Sequence, residues 1–578
     1  MQKIARIEAP LLLSGINPGL ENDSAPLWVN GENVVFRDGA IRPEPGQLLI
    51  YNRVNSNVRV LGIGESEREG HPILWWADKN KIFRADMTVT PFTSQVTQQY
   101  ASFAGREDES KDGIATTVSL AAWGEWMVAA NGIDEMVYRD TAGLPGGSFA
   151  LISAIAGFTQ PDGVPVGVKF RPHFLVRAGS HMMANMHHRH TGSPPHNEVP
   201  EGEQTVWWCS QNDLAAWKAT RANSAGSFIL RDATGPFTAA IPFLDGEIVS
   251  TLNSIHVIRF IGDPLWFGVA RSLFGIGSVS AKGMVNHGSI IYGMGPQGFW
   301  RTDGAQFEFI DTPYIRDYVY KNFNDGQKSK VVAWLDASEE RIVWFLPFLP
   351  NTELSHAVGY SLKDGTWHLP GYIRTAASPG GPFGFGITGD DIGSIYRQTY
   401  QSTGVASSGD IFKLAEGLLF FSGYGFGGYG YLGYGGKYQI PIVQGTGLYE
   451  GSIQLYLQSP TGSIINLGIS ADTSTLFLES KDLNLGDSDV AKILRAARLE
   501  LQPIGASGLL FKIYSRDNLD DPLVLEGTFA SGASDEILHM RTNGRRYFRF
   551  RLEDTGSFER WKITAIELFG VIGRKRLD

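Results

Sequence analysis

The feature that most constrains this chain is a short antiparallel meander that recurs along it. Between residues 283 and 311, Ile290, Ile291 and Tyr292 form one candidate strand and Gly298, Phe299, Trp300 and Arg301 the next, with Met294-Gly295-Pro296-Gln297 as the turn. A second turn, Thr302-Asp303-Gly304, leads to a third strand around Phe307 to Ile310. Apolar and polar residues alternate, and the reversals fall on Gly, Asn and Asp, the residues that tolerate turn conformations. Two more such pieces precede it, around Trp207-Trp208-Cys209-Ser210 and within residues 246–264.

The unit repeats in pattern, not in letters. It is seen at residues 58–86, with Ile73-Leu74-Trp75-Trp76 and Lys81-Ile82-Phe83-Arg84; at 114–140, with Trp126-Met127-Val128-Ala129; and at 168–177. After residue 311 it returns at 331–347, 356–369 and 383–397. The 69 glycines and 28 prolines are spread along the chain, as many tight turns require, and no helix is expected between members of the series. An all-β chain follows, with a β-propeller of six or seven blades over residues 47–405. Two packed sandwiches would not need so many copies of one meander, and a solenoid would keep a tighter period.

The texture changes beyond residue 436. Ile453-Gln454-Leu455-Tyr456-Leu457, Leu510-Phe511-Lys512-Ile513-Tyr514 and Tyr547-Phe548-Arg549-Phe550-Arg551-Leu552 alternate strictly, with one face for a core and one for water. Residues 437–578 are therefore read as a C-terminal β-sandwich, and 406–436 as a Gly/Tyr-rich connection. At the other end, Asn33 to Phe36 runs through Asp38-Gly39 into Ile41, a hairpin signal, and Arg42-Pro43-Glu44-Pro45-Gly46 stops further pairing. Residues 1–46 are read as an N-terminal extended and hairpin segment.

Candidate sites are few. The tract 179–203, read as an insertion, holds His181, His187, His188, His190 and His196; imidazoles can ligate a transition metal, but no carboxylate or cysteine stands at ligand spacing, so it reads as an exposed loop and no metal is assigned. The tract 423–436 places Tyr424, Phe426, Tyr429, Tyr431 and Tyr434 among glycines, which reads either as a partner contact or gate or as a linker stacking on itself. Arg545, Arg546, Arg549 and Arg551 make a basic strand, either an interface for phosphate or an acidic neighbour, or a wet face balanced by Glu553, Asp554, Glu559 and Glu567. Cys209, the single cysteine, reads as buried and structural.

No catalytic arrangement stands up, and no cofactor is expected. Ser361 to Trp367 resembles an aspartate box one residue short, which is a turn device, and the pairs Asp390-Asp391 and Glu339-Glu340 sit in turn contexts. The formal charge of −10 disfavours a phosphate-neutralising binder. The apolar run Leu11 to Leu13 is too short for a signal peptide core or a membrane span, so synthesis and assembly in the cytoplasm are expected.

Trp28-Val29-Asn30-Gly31-Glu32-Asn33-Val34-Val35-Phe36-Arg37-Asp38-Gly39 with Arg42-Pro43, the Trp207 to Trp217 segment, the Gly275 to Gly304 run and the closing Gly544-Arg545-Arg546-Tyr547-Phe548-Arg549 segment resemble the tail nozzle proteins of short-tailed bacteriophages, also called tail hub, tail tubular B or packaged-DNA stabilisation proteins. The resemblance implies a virion protein without enzymatic activity. It implies a hexameric ring below the portal and the tail adaptor protein, with residues 1–46 joining its platform, propellers at its periphery and tail fibres or tailspikes attached around it. The lumen of such a ring retains double-stranded DNA and then conducts it without reading its sequence. Six chains at −10 each carry −60, a sign that repels phosphate. The alternative is a propeller enzyme or lectin acting on bacterial surface polysaccharide, with the 14 tryptophans as glycan contacts.

Overall fold

The computed structural model describes residues 5–9, 28–38, 40–51, 58–68, 71–86, 97–100, 117–124, 126–140, 148–165, 168–186, 202–378, 381–400, 453–458, 464–469, 476–483, 491–502, 509–530, 537–539, 542, 544–554 and 562–572. The described chain is built almost wholly of antiparallel strands, as the turn-rich sequence predicts.

Seven of its sheets have four strands each. The first six are consecutive meanders, opening with Gly62–Arg68, Ser119–Trp123, Phe174–Ala178, Ala239–Phe243, Met284–His287 and Val332–Asp336. The seventh takes Ala376–Ser378, Ile387–Gly389 and Ile395–Tyr400 from one part of the chain and its outer strand, Gly46–Tyr51, from another. No sheet closes on itself. The opening strand of each sheet touches that of the next, and the opening strand of the seventh touches that of the first.

The hydrophobic cores follow the same cycle. One core lies between each pair of successive sheets: Trp75 of the first sheet meets Val118 and Met127 of the second, and Trp207 of the third meets Val128 of the second. The last joins Ala376, Ile387 and Ile395 of the seventh sheet to Leu74, Trp76 and Phe83 of the first. Adjacent residues of one strand point to opposite faces, so Trp75 and Trp76, or Trp207 and Trp208, fill two different cores. This corrects the expectation of apolar and polar alternation here. The sheets are covered on both faces, and strands such as Thr205–Trp208, Val332–Asp336 and Arg341–Leu346 are buried at every position. Each fully buried indole removes enough surface to contribute on the order of 5 kcal/mol.

One helix also departs from expectation. Pro313–Asn322 lies between the fifth and sixth sheets, opened by Thr312, whose hydroxyl accepts from the Ile315 N–H at 3.3 Å, with Pro313 in the first turn. Ile315 and Val319 enter the core between those sheets, and Arg316 grips Asp311 through two bonds of 2.9 and 2.8 Å.

The remaining strands form a second body from both ends of the chain. A six-stranded sheet contains Ala5–Ala9, Val34–Arg37 and Ala40–Pro43 with Lys492–Gln502, Ile537–His539 and Lys562–Ile572. A five-stranded sheet joins Trp28–Glu32 to Leu476–Ser480, Tyr547–Asp554, Leu509–Arg516 and Val524–Ala530. One core is shared between them, with Trp28, Phe511, Phe550 and Leu552 from one sheet and Val34, Phe36, Leu494, Ile563 and Leu568 from the other. Here the predicted alternation is present: Leu509–Arg516 is buried at every second residue. Ile453–Gln458 and Ile464–Ile469 pair as a separate hairpin.

Candidate functional site

The sequence singles out the strand Tyr547–Asp554 for its arginines. Alternation turns Phe548, Phe550 and Leu552 into the core and places Arg549 and Arg551 on the outer face of the five-stranded sheet. The neighbouring strands bring carboxylates to the same face. Arg549 donates to Glu479 at 3.0 Å and to Asp482 at 2.9 and 3.3 Å, and Arg551 donates to Glu479 at 3.0 Å and lies 2.5 Å from Glu553. Arg545 pairs with Asp517 at 2.5 Å and with Glu526 at 3.6 Å, Arg516 with Asp482, and Lys512 with Glu553.

Five cations thus meet five carboxylates of the same chain, which makes the face a balanced network. A polyanion reaching it must displace those partners, so the arrangement favours stiffness over phosphate capture. Glu553 is among the balancing residues read from the sequence; Glu479, Asp482, Asp517 and Glu526 come from strands and loops that only folding brings near. Arg546 is exposed and makes no ion pair among the described residues.

A second polar cluster, not legible in the sequence, joins the sheet cycle to the two-sheet body. The hairpin Val34–Arg37 and Ala40–Pro43 belongs to the body yet sits against the sixth sheet. Asn33 donates its N–H to Leu369 O at 3.0 Å and accepts from the Gly371 N–H at 2.7 Å; Thr366 donates to Phe36 O at 3.3 Å. Arg37 pairs with Glu339, and Lys363 with Asp38. At the centre, Arg341 donates to Glu44 at 2.6 Å and to Asp336 at 3.1 Å, and all three side chains are almost fully buried. Burial raises the Glu44 carboxyl above its usual range against the pull of Arg341, and drives His368 well below the ordinary imidazole value. Glu44 stands inside the Arg42-Pro43-Glu44-Pro45-Gly46 segment, whose prolines alone give no sign of a buried ion pair.

The remaining candidates divide between described and undescribed residues. His181 is not in a loop: His181–Asn185 is the second strand of the third sheet, and the buried imidazole lies 3.0 Å from the Ser224 hydroxyl. His187, His188, His190 and His196 lie outside the described residues, as do Tyr424, Phe426, Tyr429, Tyr431 and Tyr434. Among the described residues no group of three or more His, Cys, Asp or Glu is disposed to hold a metal ion. Cys209 is fully buried, accepts from the Met182 N–H at 3.1 Å, and has its thiol pushed up to about 12 by burial. Of the two adjacent carboxylate pairs, Glu339 pairs with Arg37, and Asp390 accepts from the Ser394 N–H at 2.7 Å and the Tyr396 hydroxyl at 2.9 Å. The Ser361 to Trp367 segment is a tight turn, with Gly365 at φ +67°.

On the fourth sheet the hairpin Ser254–Gly262 and Trp266–Phe274 is the longest of the series. Its tip exposes Phe260, Ile261 and Leu265, beside Leu244. Among the described residues no helix is long and apolar enough to cross a membrane. Compared with models of known protein families the chain matches none, and no curated protein aligns with it significantly.

Proposed function

We propose that this chain is a structural subunit of the tail nozzle of a short-tailed bacteriophage, with the seven stacked sheets as blades of a β-propeller and the two face-packed sheets as a β-sandwich platform. Six copies form the ring below the portal and the adaptor. The ring holds packaged DNA, conducts it during ejection, and carries tail fibres or tailspikes.

The observation that carries this reading is the shared body. Strands from residues 5–43 enter the same two sheets as strands from residues 476–572, so the cycle of seven sheets is inserted in a platform. A cycle of sheets set apart from a second body in this way supports a propeller carried at the periphery of a ring. The buried Arg341 cluster supports it further, because a platform that bears load needs its propeller fixed in orientation. A formal charge of −10 per chain suits a lumen through which DNA slides. The exposed apolar tip of the fourth sheet is the kind of surface that marks contact with other subunits.

Light scattering on the purified chain, alone and mixed with the adaptor, tests the reading. The expected mass is six times 63.3 kDa for the ring, formed alone or on the adaptor. A chain that stays monomeric in both samples overturns it.

A further inference from the structure

Asn-Gly is a dipeptide prone to lose its side-chain amide, because glycine places no side chain beside the backbone nitrogen that must reach the asparagine Cγ. The chain carries it at Asn30-Gly31, Asn131-Gly132 and Asn543-Gly544; Asn543 lies outside the described residues. The fold holds the other two in opposite ways.

Asn131 is locked. It is buried, its Oδ1 accepts from the Ile133 and Asp134 N–H groups at 3.0 and 2.8 Å, and its Nδ2 donates to Asp134 at 2.8 Å. The Gly132 N–H turns away from it and donates to Pro172 O at 3.0 Å. Nitrogen and side-chain amide can meet only after these bonds break.

Asn30 is exposed, on Trp28–Glu32, which is the end strand of the five-stranded sheet and pairs on one side only among the described residues. Here the Gly31 N–H donates to Asn30 Oδ1 itself at 3.0 Å, so the two reacting groups are already side by side. The pairing slips between Trp28, opposite Ser480, and Asn30, opposite Glu479. That slip lets Trp28 enter the core while Asn30 shares the outer face with Glu479, the carboxylate to which Arg549 and Arg551 each donate at 3.0 Å.

We propose that Asn30 is a site of spontaneous deamidation, and that the carboxylate it yields joins the arginine face. The Gly31 nitrogen gives its proton to water and attacks Asn30 Cγ. The Cγ–Nδ2 bond breaks, ammonia leaves with a proton regained from water, and a succinimide closes. A water molecule then opens the ring: cleavage at Cγ leaves aspartate, and cleavage at the main-chain carbonyl leaves isoaspartate. Nothing is oxidised or reduced, and water is the only co-reactant. Either product sets a negative charge directly across from Glu479, where five cations already meet five carboxylates. Isoaspartate also adds a carbon to the main chain, which moves Gly31 and Glu32 out of step with Leu478 and Phe477.

The test holds the full chain at one temperature and pH, in native buffer and in urea, and follows each asparagine by peptide mass spectrometry with fragmentation that separates aspartate from isoaspartate. In urea Asn30 and Asn131 should convert at similar rates. In native buffer Asn131 should slow at least about tenfold more than Asn30 does. Asn30→Asp should lower the urea midpoint, and by less in a Glu479→Gln background, where the opposing charge is gone. A native Asn30 as slow as native Asn131 overturns the site. A midpoint that Asn30→Asp leaves unchanged, or lowers equally in both backgrounds, overturns the entry into the arginine face. Should Asn30→Asp not fold, aged parent and Glu479→Gln chains, separated by charge from their unaged forms, give the same comparison.

Discussion

Glu247 is a carboxyl buried where a carboxylate is expensive. It lies in the second strand of the fourth sheet with Asn185 Nδ2 at 3.1 and 3.0 Å from its two oxygens, and burial pushes it up to about 8 despite that bond. The protonated form can return a hydrogen bond to Asn185 Oδ1, which has no partner among the described residues. Because the folded value lies above the unfolded one, the folded chain holds the proton more tightly. Stability from this group is complete below about pH 4.5 and is lost as pH climbs to about 8, the loss reaching about 3 kcal/mol by pH 7. Glu247→Gln keeps the shape and supplies a permanent donor to Asn185. Urea melts at pH 5 and pH 8 should show a variant whose stability changes less over that range, with its advantage over the parent largest at pH 8. A variant no more stable than the parent at pH 8 would mean that Glu247 is not buried as a neutral acid.

At the scale of the element, what could be read in advance follows from how many faces of a strand are covered. Leu509–Arg516 and Tyr547–Asp554 have one wet face, and their alternation writes the orientation of each side chain into the sequence. The strands of the seven-sheet cycle are covered twice, so Trp75 and Trp76 look alike in sequence although they serve different cores. Reversals at Gly, Asn and Asp are enough to show a series, while the count depends on the seventh sheet, whose outer strand Gly46–Tyr51 is remote in sequence from the rest. The helix Pro313–Asn322 was signalled only by Asp311-Thr312-Pro313, an N-terminal cap too short to outweigh the surrounding strand pattern. That cap has a measurable worth: Thr312→Ala should lower stability by about 1 kcal/mol in urea, and Thr312→Ser should not. The arginine strand was legible and its neutralising carboxylates were not, because Glu479, Asp482 and Asp517 reach Arg549 and Arg545 through pairing between distant strands.

For the whole molecule, the decisive contact is the buried one at Arg341. Removing the guanidinium takes a buried cation from both Glu44 and Asp336, and Arg341→Ala should cost about 3–5 kcal/mol in chemical denaturation. Combining Glu44→Gln with Arg341→Met should recover part of that loss, since fewer buried charges then stand unpaired. Equal losses from the single and the paired substitutions would place the stabilisation in packing and not in charge. The interleaving of strands from far apart in the chain has a consequence for synthesis as well. A polypeptide stopped before Ile395–Tyr400 leaves Gly46–Tyr51 without its pairing strand, and one stopped before Lys562–Ile572 leaves Ala5–Ala9 in the same condition. Truncated translation products therefore leave these strands without the pairing they have in the finished chain. Strand order thus makes the pairing of the first strands of the chain wait on the synthesis of strands hundreds of residues later.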